Sequence, residues 1–75
     1  MKRNKKIESL LSKLDDAKVG FEELRDNLQE SFDNKSEKWQ ESEKGEQAQA
    51  DIETVEEIID NIENVFNDVE NNFEE

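Results

Sequence analysis

Cysteine, histidine, proline and tyrosine are all missing from this chain, and glycine occurs only twice. Without cysteine or histidine there are no disulfide staples, no thiolate or imidazole metal ligands, and no Ser–His or Cys–His nucleophilic couple. The shortage of glycine and proline argues against a β-sandwich or barrel, whose strands need frequent turns, and against a glycine-rich phosphate loop. Long apolar runs are missing as well. The opening segment carries the basic cluster Lys2, Arg3, Lys5 and Lys6, then meets Glu8, Ser9, Ser12 and Lys13 where an apolar run would have to continue. It reads as neither a signal peptide nor a membrane span, so the expectation is a cytoplasmic protein without membrane contact.

What is present is abundant charge and a thin apolar pattern. Of 75 residues, 43% are charged and 31% hydrophobic, and 22 acids against 10 bases give a formal net charge of −12. Such a balance approaches that of a disordered chain unless the apolar residues gather on one face. They do so twice. Ile7, Leu10, Leu14, Ala17, Phe21, Leu24 and Leu28 alternate at three and four residues, a heptad stripe on one long helix. Ala48, Ile52, Val55, Ile59, Ile62, Phe66, Val69 and Phe73 repeat the spacing with β-branched and aromatic residues that helix propensity alone does not favour. Between the runs Lys35 falls where an apolar residue is due, and the stretch 33–42 is rich in capping residues. Ser36 and Ser42 read as two N-caps.

The expectation is therefore an all-α, coiled-coil-like antiparallel two-helix hairpin forming a single domain over residues 1–75. The first helix covers about 4–33, a turn with a short helix about 34–42, and the second long helix about 43–73. With the turn there, residues whose numbers sum to 76 oppose each other, from Ile7 with Val69 to Leu28 with Ala48. A turn at Gly45 would leave the first helix overhanging. The register also sets Lys18 and Arg25 near Glu56 and Glu63, and the Lys2–Lys6 cluster beside Glu70, Glu74 and Glu75, so opposite charges meet. Trp39 is expected across the hairpin end beside Phe32 and Ala48, either as a plug or as an exposed recognition anchor.

Two helices alone leave much of each stripe wet. Leu11 and Phe32 widen the first stripe, and Ile58 and Val65 the second, which points to a homodimer forming a four-helix bundle. Leu11, Phe32, Ile58, Val65 and Phe73 are the expected oligomer interface. Gly20, in mid-helix, either permits a close helix approach there or is a tolerated interior glycine.

The charge is unevenly placed. Residues 45–75 hold eleven acids and no lysine or arginine, whereas residues 1–44 hold eleven acids and all ten bases. Glu53, Glu56, Glu57, Asp60, Glu63, Asp68 and Glu70 form the candidate partner-binding face. A row of carboxylates on a helix suits a basic, nucleic-acid-binding protein as partner and excludes direct binding of nucleic acid. The alternative is a solvated face that keeps a small protein soluble. No catalytic residue, cofactor or metal site is expected. Paired carboxylates without histidine lack the Glu-x-x-His di-iron pattern, and Asp15-Asp16-Ala17-Lys18-Val19-Gly20 lacks the alternating oxygen ligands of a calcium loop.

The stretch from Phe32 through Trp39 to Glu46, followed by acidic helix, resembles the middle of small helical proteins encoded by phages and other mobile elements. That resemblance implies a setting in which small acidic proteins inhibit host defence, including anti-CRISPR and anti-restriction proteins that present carboxylates in place of phosphates. Two functions follow as expectations. One is a non-enzymatic inhibitor of a host nucleic-acid-binding defence protein. The other is a homo-oligomeric coiled-coil scaffold or assembly accessory that binds a partner through its apolar flanks.

Overall fold

The structure, a computed structural model, describes residues 2–73. Three helices follow one another: α1 spans Lys5–Asp33, α2 spans Glu37–Gln40 and α3 spans Glu43–Asn72. No strand occurs among the described residues. α1 packs along α3 to make a rod with Cα extents of 55 × 15 × 11 Å, and α2 closes one end of it.

Each helix starts where its sequence supplies an acceptor for the free N–H groups of a first turn. The Asn4 side chain accepts from the Ile7 N–H at 3.0 Å, Ser36 Oγ from Trp39 at 3.2 Å, and Ser42 Oγ from Gly45 at 3.3 Å. Glu43 and Glu46 then place negative charge at the positive end of the α3 dipole.

The corner is held mainly by polar links. Gln40 Nε2 donates to the Phe32 carbonyl at 2.9 Å, which also accepts from the Lys35 N–H at 3.1 Å, and to the Lys35 carbonyl at 3.3 Å, so one amide ties α2 to the end of α1. The Ser42 hydroxyl donates to the Trp39 carbonyl while accepting from Gly45, so one side chain ends α2 and begins α3. Gly45 is buried, and a Cβ there would collide with the Gln40 carbonyl group and lie 2.5 Å from the Trp39 carbonyl oxygen. Gly45 is thus the site of closest packing in the corner and lies inside α3. Trp39 meets Phe32 edge-on, with ring centroids 6.3 Å apart, and Lys35 Nζ sits 5.3 Å above its ring. Both contacts are of kinds that stabilise an aromatic pair at a helix junction.

Burial on α3 follows the anticipated stripe: Ile52, Val55 and Ile59 are buried, while Ala48, Ile62, Phe66, Val69 and Phe73 are half-buried. On α1 the stripe is rotated from the anticipated one. Ile7, Leu11 and Phe32 are buried and Leu14, Lys18, Phe21, Arg25 and Leu28 half-buried, whereas Leu10 and Leu24 remain 48% and 41% exposed and Ala17 is exposed. Leu11 and Phe32, expected at an oligomer interface, are instead core residues of the single chain. Val65 is 47% exposed, Ile58 half-buried. The physical reason lies in Lys18 and Arg25. Their long methylene stems cover core surface while their cationic heads reach the edge of the seam, so they occupy positions that hydropathy reserves for leucine.

Side chains meet across the hairpin where residue numbers sum to about 81. Lys18 Nζ donates to Glu63 Oε1 at 3.2 Å. The shift from the anticipated sum of 76 is in the direction expected when side chains on both helices lean toward their own N-termini, which point in opposite directions. At the open end the long Arg3 side chain reaches the Phe73 carbonyl, its Nε donating at 3.1 Å.

Candidate functional site

With the buried stripes placed, the heptad assigns each remaining column to a side of the rod. On α3, Glu56, Glu63 and Glu70 flank the seam on one edge, Glu53 and Asp60 lie next to them, and Glu57 follows on the back. All are exposed. Asp68, the seventh anticipated residue, is exposed but belongs to the opposite flank, beside Val65. Six of the seven carboxylates thus form one continuous surface and the seventh does not.

The same register brings Glu8, Asp15 and Glu22 of α1 to the edge occupied by Glu56, Glu63 and Glu70. Sequence reading missed these three. The signal was present in Lys18 and Arg25: once they are taken as seam positions, Leu10, Ala17 and Leu24 leave the seam, and Glu8, Asp15 and Glu22, one place after Ile7, Leu14 and Phe21, turn toward the acidic edge. A shallow groove on this edge is lined by Leu14, Asp15, Lys18, Ile62, Glu63 and Phe66. A second, nearer the corner, is lined by Gln29, Gln49, Glu53 and Glu56 over Phe32 and Ile52.

Lys18 is the cation at the centre of this edge. The hydrogen bond to Glu63 and then the charge of Glu63 hold its ammonium above the ordinary lysine pKa, with Glu22 and Asp15 adding to the effect and desolvation opposing it. At the open end of the rod Arg3 approaches Glu70 at 4.0 Å. Arg25, expected near Glu56 and Glu63, turns instead to its neighbour Asp26 at 3.3 Å. The partners anticipated for the basic cluster at Glu74 and Glu75 lie outside the described residues. Glu53, Glu56, Glu57, Asp60 and Asp68 make no ion pair among the described residues.

Nine carboxylates lie between Glu46 and Glu70 with no cation on α3 after Lys44. The six that share the acidic face, Glu53 to Glu70, fall about one per 5 Å at ~1.5 Å rise per residue. That is wider than the ~3.4 Å phosphate spacing of one nucleic-acid strand and further still from the charge density of a duplex. Their chemistry is that of anionic hydrogen-bond acceptors on a rigid rod. Among the described residues no three metal-ligating side chains converge, and no helix is long and apolar enough to cross a membrane.

Comparison with protein-family models, with curated proteins and with solved structures found no match to this chain.

Proposed function

We propose that this protein works by binding, through the α3 carboxylate face, to the nucleic-acid groove of a basic protein. The observation that carries this reading is the run of exposed carboxylates on α3, of which Glu53, Glu56, Glu57 and Asp60 pair with no lysine or arginine among the described residues. Folding leaves those four charges outside its ion pairs, and their mutual repulsion is relieved when a cationic surface covers them. Their spacing favours a groove that holds a single strand. The biological setting follows the resemblance of residues 32–46: an inhibitor acting in the cytoplasm of a phage host on a nucleic-acid-binding defence protein, of the anti-CRISPR or anti-restriction type, without catalysis and without a cofactor.

The test is capture on immobilised protein from host lysate, with stepped salt and competition by single-stranded and duplex oligonucleotides. The expected result is a nucleic-acid-binding protein that salt and single strands release, and that the triple variant Glu53→Lys, Glu57→Lys, Asp60→Lys fails to retain. Retention indifferent to salt, to both oligonucleotides and to the triple variant would overturn the reading.

A separate observation favours a second reading. Leu10, Leu24 and Val65 are each more than 40% exposed on a rod this thin, which supports self-association of the hairpin into a four-helix bundle that serves as a scaffold.

A further inference from the structure

The heptad columns that leave Leu10, Ala17 and Leu24 out of the seam also collect Ile58 and Val65 on the same side of the rod, opposite the acidic edge. Between the level of Lys13 and that of Asp51 this side carries Ala17, Gly20, Leu24, Asn27 and Ser31 from α1 and Thr54, Ile58, Asn61 and Val65 from α3. None is charged, in a chain of which 43% is charged. Applying the side-chain level marked by Lys18 and Glu63, Leu24 lies level with Ile58, Ala17 with Val65, and Lys13 with Asp68. The side is therefore two apolar levels separated by Gly20 and Asn61 and bounded at the open end by one cation and one anion. A Cβ at Gly20 would meet nothing within 4 Å, so space for a close neighbour lies directly over it.

We propose that a second copy of this chain covers the Leu24–Ile58 and Ala17–Val65 side, with the two-fold axis along the rod so that α1 of each hairpin faces α3 of the other. This deepens, and rests on, the four-helix-bundle reading, and is independent of the carboxylate-groove reading. Two observations select the occupant. A two-fold interface must be self-complementary, and this side is: Lys13 meets the other copy's Asp68, and each apolar level meets its own counterpart. The charge distribution selects the axis. All ten basic residues lie within 1–44, and the only cation of α3 is Lys44 in its first turn, so placing α1 against α3 keeps the two acidic helices on a diagonal.

Sedimentation equilibrium over micromolar to millimolar protein tests the proposal, followed by disulfide trapping, which the absence of native cysteine makes clean. The wild type is expected at twice 8.8 kDa, with added salt tightening the dimer because it screens two chains of like net charge. Leu24→Glu is expected to weaken the dimer by about tenfold or more through burial of an unpaired charge, while retaining the helical circular dichroism of the wild type. On mixing Ala17→Cys with Val65→Cys chains, the mixed disulfide is expected to outweigh both symmetric ones, because only the α1–α3 pairing brings those residues within bridging distance. A wild type monomeric throughout, a Leu24→Glu dimer of unchanged affinity, or predominance of the Ala17→Cys homodimer each overturns the arrangement. Salt separates the two functional readings: it strengthens this dimer and weakens capture of a basic partner.

Discussion

At the residue scale the two glycines behave oppositely although both lie within helices. Alanine has the higher helix propensity by ~1 kcal/mol, and Gly20 has open space for a Cβ. Gly20→Ala should therefore raise the thermal midpoint of dilute protein. Gly45→Ala carries the same propensity gain but forces a methyl group into the backbone of Gln40, so it should lower stability by about 1–3 kcal/mol, the range for overpacking. Paired melts followed by circular dichroism separate the two, and equal shifts would show that the corner is loose. Lys18 offers a second single-residue test. Because its folded-state pKa is raised by Glu63, the stability it contributes is fully present below the unfolded value of 10.5 and is lost as pH rises through the raised value. Alkaline melts should show that decline in the wild type and lack it in Lys18→Met, which keeps an unbranched apolar stem.

At the scale of the elements, the question is which stripe of α1 faces α3. Leu11→Ala removes a side chain only 7% exposed and should cost about 2–5 kcal/mol, whereas Leu24→Ala should stay within about 0.5 kcal/mol in the monomer. Chemical denaturation ranks the pair, and the reverse order would restore the stripe through Leu10, Ala17 and Leu24. Ser42→Ala deletes the N-cap of α3 together with the hydroxyl that ends α2 and should cost about 0.5–2 kcal/mol. Helical class and the packing of one long helix on another were legible from the two apolar stripes, and the corner from its serine caps. The face of α1 was not. Ile7, Leu14, Phe21 and Leu28 belong to both possible stripes, and hydropathy prefers Leu10, Ala17 and Leu24 over a set containing Lys18 and Arg25. Stem burial decides the matter, and no composition scale carries it. The candidate site inherits the same division: the α3 acids could be read directly because they share one helix, while Glu8, Asp15 and Glu22 join them only through the register.

Over the whole molecule, like charge dominates the electrostatics. A net charge of −12 on a rod 55 Å long sets carboxylates well within one Debye length of each other at physiological salt. Among the described residues the two cross-hairpin ion pairs, Lys18 with Glu63 and Arg3 with Glu70, are partly exposed, and such pairs contribute little to stability. Added salt should thus raise the melting temperature at neutral pH, since it screens more repulsion than attraction. A melting temperature that falls with salt would mean that the bridges outweigh the net charge. The corner and the Arg3 contact also impose an order in time. Gln40 reaches back only eight residues to Phe32, whereas Arg3 and Phe73 are seventy residues apart. Closing the near link constrains little chain, and each further level then closes a loop already shortened by the one before it. The rod zips from Gln40 outward and peels from Arg3 inward, so amide-exchange protection should decline level by level from the corner toward the latch at Phe73.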